Sequence, residues 1–103
     1  MTGSSPGAGE FFDGEAERYD AAHDRDDSAG RALRGRIAVT RLLLGDRPGR
    51  VLDCGMGPGR LLAELARRGW SVGGIDISEE MVALARSRLP QSAASLVQGT
   101  VES

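Results

Sequence analysis

Seven consecutive residues, Asp53 to Gly59, combine an acid with three glycines at alternate positions, and a second acid, Asp76, closes the next apolar run. A glycine-rich turn between a strand and a helix brings backbone N–H groups and the helix N-terminus close to a polar ligand. An acid that ends the following strand can accept hydrogen bonds from ribose hydroxyls. This order of residues predicts a binding site for a nucleotide cofactor.

The three glycines have separate tasks in such a turn. Gly55 allows the chain to leave the strand sharply, Gly57 allows a ligand to approach the backbone, and Gly59 allows the helix to pack closely. Pro58 suits the start of a helix, where its missing N–H would be unpaired. An ordinary strand-to-helix turn usually contains one glycine, so three within five residues favour the ligand site.

Patterns of strand and helix alternate from residue 50 onward. Strands are predicted at 50–54, 71–75 and 95–98, and helices at 59–68 and, after an N-cap at Ser78, at 79–89. Residues 10–45 form a helical lead-in with a helix or helical turn near 12–23 and a second helix capped around 26–28, and residues 1–9 are a flexible leader. The predicted fold is α/β, a Rossmann-like doubly wound parallel sheet cut off after its third strand, with one partial domain over 10–103.

The same turn pattern also occurs in dinucleotide-binding dehydrogenases, and two residues argue against that cofactor. Arg60 occupies the position where the dehydrogenase pattern has a third glycine or alanine. Asp53 would repel a pyrophosphate but attract an ammonium group. A nicotinamide-dependent oxidoreductase half-domain nevertheless remains an alternative, as does a non-catalytic binding fragment.

The acid, the Gly-x-Gly-x-Gly turn and the stretch GIDISEEMVALAR at 74–86 together resemble class I S-adenosylmethionine-dependent methyltransferases of the small-molecule, ubiquinone-biosynthesis-like type. The resemblance extends from Phe11 to Glu102. It implies S-adenosyl-L-methionine as cofactor and methyl transfer to a small-molecule acceptor. It also implies that this chain is the amino-terminal, cofactor-binding half of such an enzyme, inactive by itself and able to self-associate through an exposed first strand.

The resemblance assigns roles residue by residue. Asp53 orients the methionine amine, Gly55 and Gly57 lie along the methionine and ribose, and Asp76 binds the ribose hydroxyls. Thr100 stands where the family usually has an aspartate that accepts a bond from the adenine amine. No catalytic residue is assigned, because a general base is expected beyond the third strand. The remaining implied cofactor contacts are Tyr19, which reaches over the cofactor, and Gly59, Ile77, Met81 and Val101.

Composition limits the classes of function. The chain has 103 residues, 40% of them hydrophobic, with a net charge of −2 and a single cysteine, so an internal disulfide is excluded and a cytoplasmic location is expected. No apolar run is long enough to cross a membrane. The only histidine, His23, has no partners at metal-ligand spacing and is predicted to lie at the surface or in helix packing. Cys54 is predicted to be a small buried strand residue.

Charge is distributed in two blocks. Residues 10–27 contain eight acids and two arginines, whereas residues 31–68 contain nine arginines and three acids. The blocks are expected to attract each other in the fold. Nucleic-acid binding is disfavoured, because only 4% of the residues are aromatic and no basic tract occurs.

Overall fold

The computed structural model describes residues 14–89 and 94–100. The predicted leader and Val101 lie outside these ranges. The described residues alternate helices and strands, in the order α1 Glu15–Ala22, α2 Ser28–Leu44, β1 Arg50–Cys54, α3 Arg60–Arg67, β2 Ser71–Asp76, α4 Glu79–Arg88 and β3 Ala94–Gln98.

The three strands form one parallel sheet in the order β1-β2-β3. Arg50 of β1 is paired in register with Ser71 of β2, and Val72 of β2 with Ala94 of β3. Each pair of neighbouring strands is connected through a helix, which is the usual crossover between parallel strands. The predicted Rossmann-like β-α-β-α-β half is therefore confirmed.

The caps of the helices explain where they begin and end. The side chain of Asp27 accepts a hydrogen bond from the N–H of Gly30 at 2.9 Å, and Ser78 Oγ accepts one from the N–H of Met81 at 3.1 Å. Both caps were predicted. Gly69, with φ of 94°, follows the end of α3 as expected for a helix stop.

The core lies on one face of the sheet, beneath α3 and α4. Both crossovers advance in the same direction along the sheet, so their helices cover the same face. Leu62 and Leu65 of α3 are fully buried. They belong to a cluster that also contains Met56, Ala63, Trp70, Val72, Val82, Ala85 and Leu89.

No helix of the described ranges covers the opposite face of the sheet. Leu52 is 68% exposed and Val97 is 51% exposed. Cys54 alternates with Asp53 along β1 and is also exposed. The prediction of a buried Cys54 is therefore wrong, because its side of β1 is not the side packed by α3 and α4.

Candidate functional site

The turn between β1 and α3 is held against the end of β2. Gly55, Gly57 and Gly59 all have positive φ, at 80°, 60° and 79°, a region that glycine adopts without strain. The N–H groups of Gly55 and Met56 donate to the carbonyl of Ile75 at 2.7 and 3.1 Å. The turn thus lies at the carboxyl edge of the sheet, where open α/β sheets bind ligands.

Asp76 connects this turn to the start of α4. Its Oδ2 accepts a hydrogen bond from the N–H of Gly57 at 2.8 Å, and its Oδ1 accepts one from the N–H of Ser78 at 2.9 Å. An ionised carboxylate has about four acceptor sites, so each oxygen can still accept a bond from a ligand. The two protein bonds fix the direction in which those acceptors face.

The backbone N–H groups of the turn are used within the protein. Those of Gly55, Met56 and Gly57 bond to β2, and that of Gly59 donates to the carbonyl of Met56 at 3.3 Å. The expectation that this turn presents bare N–H groups to a ligand is therefore wrong. The polar group offered to a ligand here is an acceptor, the carboxylate of Asp76.

A cavity of about 270 Å³ lies beside this carboxylate at the sheet edge. Four residues assigned to the site from the sequence meet in its wall, which consists of Gly55, Ile75, Asp76, Ile77, Gly99 and Thr100. Ile77 is 51% exposed and offers an apolar surface. A Cβ atom at Gly55 would have no other atom within 4 Å, so the space above this glycine is open.

A second cavity, of about 140 Å³, lies on the α1 side of the turn. Tyr19 and Gly57 both line it, and Gly55 belongs to both cavities. Tyr19 Cε2 lies 3.9 Å from the position that a Cβ at Gly57 would take. The structure therefore brings the predicted Tyr19 to the glycine turn. Tyr19 and His23 are the two residues with aromatic rings that line this cavity.

His23 packs against Tyr19. It is buried, and its ring packs edge-on against that of Tyr19 with centroids 5.3 Å apart. Its Nδ1 lies 3.2 and 3.1 Å from the carbonyl oxygens of Tyr19 and Asp20. Since carbonyls only accept, Nδ1 carries the proton. His23 is thus a helix-packing residue, one of the two placements that its sequence context predicted.

Three other predicted residues line neither cavity. A Cβ at Gly59 would lie 2.9 Å from Ala85 Cβ, so this glycine allows α3 and α4 to pack closely. Met81 is half-buried in the first turn of α4, and its N–H belongs to the Ser78 cap. Asp53 is half-buried near the end of β1.

Asp53 and Asp76 make the sheet edge electronegative. Burial raises the pKa of Asp53 above its ordinary value, and the charge of Asp76 raises it further. Two neighbouring negative charges favour a cationic group between or beside them. The site is therefore suited to a ligand that carries both hydroxyl donors and a positive charge.

An ion-pair cluster attaches α1 to the glycine turn. Asp20 accepts from Arg60 Nε at 2.6 Å and from both terminal nitrogens of Arg88 at 2.9 Å. Asp24 accepts both terminal nitrogens of Arg60 at 2.9 Å. Arg88 also donates to the carbonyl of Pro58 at 2.8 Å, inside the turn. The cluster holds α1, and with it Tyr19, against the turn.

This cluster confirms that the acidic and basic blocks attract each other. Burial by itself would raise the pKa of Asp20, but the hydrogen bonds from Arg88 and Arg60 outweigh it and hold that pKa below its ordinary value. The block pattern was the only sequence signal for the cluster, and it did not identify the pairs. Arg60 does not crowd the helix packing, because its side chain reaches outward to α1.

A family model described as "Methyltransferase domain" matches residues 51–103, which is half of the chain and includes the turn, Asp76 and Thr100. The chain belongs to this methyltransferase domain family. A curated relative, the magnesium-protoporphyrin O-methyltransferase of Rhodobacter capsulatus, is 49% identical over 41 residues. That match covers 40% of this chain and 18% of the relative.

Solved structures share the fold of this methyltransferase domain. The protein PH0226 from Pyrococcus horikoshii OT3 is 25% identical with a TM-score of 0.60, over 86% of this chain and 40% of that one. A Methanococcus maripaludis protein is 22% identical with a TM-score of 0.69, over 98% of this chain and 48% of that one. The chain thus spans less than half the length of these relatives.

Proposed function

We propose that this chain is the cofactor-binding part of an S-adenosyl-L-methionine-dependent methyltransferase that acts on a small molecule. One observation carries the proposal. The carboxylate of Asp76 is fixed by the N–H groups of Gly57 and Ser78 at the wall of a cavity at the sheet edge. Membership of the methyltransferase domain family supports it.

The residues of the sheet-edge cavity fit the adenosine part of this cofactor. Asp76 offers acceptors for the two ribose hydroxyls, and the exposed side chain of Ile77 offers an apolar surface for adenine. Thr100 lines the same cavity and carries a hydroxyl that can donate or accept. Gly55 leaves its side of the cavity open, since a Cβ there would meet nothing within 4 Å.

The methionine end is assigned to the opposite side of Gly55. The ammonium group of the cofactor would be attracted by Asp53, whose raised pKa reflects burial and the nearby charge of Asp76. Tyr19 lines the neighbouring cavity beside Gly57 and is in position to cover this end. Binding at both ends would place the reactive centre of the cofactor over the glycine turn.

The main contribution of this chain to methyl transfer would be to hold the cofactor in position. When bound, S-adenosyl-L-methionine supplies an electrophilic methyl group on a sulfonium. Transfer is an in-line displacement by an oxygen, nitrogen or carbon nucleophile, and most of its acceleration can come from holding the two reactants in line. Asp76 and Asp53 would fix the cofactor at its two ends, and α1 would exclude water through Tyr19. We assign no general base.

The turn geometry argues against a dinucleotide at this site. A pyrophosphate needs backbone N–H donors and is repelled by carboxylates. Here the N–H groups of Gly55, Met56 and Gly57 already bond to β2, and two carboxylates lie at the sheet edge. A cofactor with hydroxyl donors and an ammonium group matches these acceptors.

The name of a curated relative supports a small-molecule acceptor. The Rhodobacter relative is named for methylation of magnesium-protoporphyrin, which is a small molecule compared with a protein or nucleic acid. None of the described helices is long and apolar enough to cross a membrane. The cytoplasmic location and the self-association expected from the sequence stay predictions.

Calorimetric titration tests the cofactor assignment. The full chain should bind S-adenosylhomocysteine in preference to NADH. Asp76→Ala should weaken that binding by about 1–3 kcal/mol, about 5- to 150-fold in Kd, because the ribose loses its acceptors. Asp46→Ala, an equal change in the exposed turn after α2, is the control and should bind normally. Unchanged affinity in a folded Asp76→Ala variant would refute the site, and preference for NADH would refute the cofactor.

A further inference from the structure

A separate cleft of about 350 Å³ lies between α2 and α3. It shares no residue with the sheet-edge cavity that contains Asp76. Three small or apolar residues, Ile37, Ala38 and Ala63, form part of its wall. The rest of the wall is charged, and consists of Arg34, Arg41, Arg60, Glu64, Arg67 and Arg88.

Positive charge exceeds negative charge around this cleft. Glu64 is the only acid in the wall, and it serves several arginines at once. Its Oε1 accepts from Arg67 at 2.8 Å, while its Oε2 lies 3.3 Å from Arg68 and 3.7 Å from Arg41. One carboxylate therefore contacts three guanidinium groups, those of Arg41 on α2, Arg67 on α3 and Arg68 just after α3.

The two acids at the end of α1 and just after it do not remove this excess. Asp20 and Asp24 contact Arg60 and Arg88 from the α1 side, as described above. Together with Glu64, three carboxylates then face the five arginines of the wall. The cleft keeps an excess of two positive charges.

The guanidinium groups are also partly fixed before any ligand binds. The side chains of Arg41, Arg60 and Arg88 are only 21–27% exposed. Arg34 donates to the carbonyls of His23 and Arg25 at 2.6 and 2.9 Å, which fixes it to the end of α1. The forks of Arg60 and Arg88 already bond to Asp20 and Asp24. Arg41 contacts Glu64 through Nε and Arg67 through one terminal nitrogen, so their other donors can bind phosphate oxygens.

We propose that the cleft between α2 and α3 binds the phosphate group of a small phosphorylated molecule. S-adenosylmethionine carries no phosphate, so the proposal concerns a second ligand and does not depend on the cofactor assignment. A nucleic acid fits less well, because the arginines converge on one cavity and no aromatic side chain lines its wall to stack against bases.

Titration of the ¹⁵N-labelled full chain by NMR tests this proposal. Inorganic phosphate and phenyl phosphate are added at constant ionic strength with chloride as the exchanged anion. Saturable shifts are expected in α2 and α3, with a Kd in the range of about 1 mM. Phenyl phosphate should bind at least as tightly as inorganic phosphate if the cleft binds phosphorylated molecules. A cleft that binds only the free anion would bind inorganic phosphate alone.

Arginine variants locate the binding. Arg41→Gln/Arg67→Gln should weaken phosphate binding at least about tenfold, since two forks are lost. The single variant Arg67→Gln carries the least risk to folding, because its side chain is 69% exposed, and it should show a smaller loss. Arg47→Gln removes the same charge in the turn after α2, outside the cleft, and should bind normally.

Three results would overturn the proposal. The first is the absence of saturation by about 10 mM of either probe. The second is an equal loss in Arg47→Gln, which would indicate general attraction of anions. The third is preferential binding of a single-stranded oligodeoxynucleotide that depends on Arg41 and Arg67, which would assign the cleft to nucleic acid.

Discussion

Asp76 has two tasks that a single carboxylate can combine. It accepts the N–H groups of Gly57 and Ser78, which fixes the turn relative to α4. Its remaining acceptor sites face the cavity beside Ile77 and Thr100. The same residue thus shapes the site and offers it a polar contact, so a substitution of Asp76 tests both tasks together.

A substitution of Gly57 tests the shape of the turn without removing the carboxylate of Asp76. Gly57→Val should abolish binding of S-adenosylhomocysteine while the chain stays folded. Valine is strained at φ of 60°, and its side chain would enter the space beside Tyr19. Gly35→Val, in open space on α2, is the matched control and should bind normally. Calorimetry measures binding and circular dichroism checks the fold; normal affinity in a folded Gly57→Val variant would contradict the proposed cradle.

At the scale of elements, α1 depends on charge rather than on a large apolar face. Among its residues only Ala16 and Asp20 are buried, and Asp20 pairs with Arg60 of α3 and Arg88 of α4. Arg34 of α2 donates to carbonyls at its end. The position of Tyr19 over the turn therefore rests on a few polar contacts.

Asp20→Asn should lower the free energy of unfolding by about 1–3 kcal/mol, because two half-buried arginines lose a charged acceptor. Asp24→Asn, whose side chain is 70% exposed, should cost less. Urea unfolding is the measurement. The folded pKa of Asp20 is lowered, so its contribution is complete above the unfolded value near 4 and declines as the pH falls below it. A loss from Asp20→Asn that is no larger than that from Asp24→Asn would show that the pairs do not hold α1.

Substitutions at Gly73 and Gly74 of β2 test the packing on the two opposite faces of the sheet. A Cβ at Gly74 would lie 2.8 Å from Leu62 Cδ1 and would collide with Met56, whereas one at Gly73 would have contacts no closer than 3.4 Å. Gly74→Ala should lower the free energy of unfolding by about 1–3 kcal/mol. Gly73→Ala should be neutral or slightly stabilising, since alanine restricts the unfolded chain. Urea melts of both variants check this, and equal effects would contradict the one-sided core.

The sequence predicted those helices and strands that depend on residues close together in the chain. The strands and helices between 50 and 98 were found because alternating apolar runs, glycine stops and the Ser78 cap act over a few residues. The pairs of Asp20 join residues 40 and 68 positions apart, and nothing local specifies them. The exposure of Cys54 depends on which face of the sheet the helices cover, and a single apolar strand does not reveal that.

At the scale of the whole molecule, the described part of the chain is layered on one side only. Helices α3 and α4 cover one face of the sheet, and the opposite face exposes Leu52, Cys54 and Val97. Strand β1 pairs with β2 and, within the described ranges, with no strand on its other side. Its outer edge therefore presents backbone N–H and C=O groups that are not part of a ladder.

We expect the 103-residue chain to self-associate through this edge, because a second copy of β1 would satisfy its backbone groups and cover the exposed Leu52. Sedimentation equilibrium over the micromolar range should show a monomer–dimer exchange. Leu52→Lys should shift it to monomer, since a charge on an edge strand blocks pairing and Leu52 is too exposed to support the core. Val39→Lys makes the same change at an exposed position of α2 and should leave the exchange intact. A strictly monomeric wild-type chain, or equal loss of dimer in both variants, would exclude association through β1.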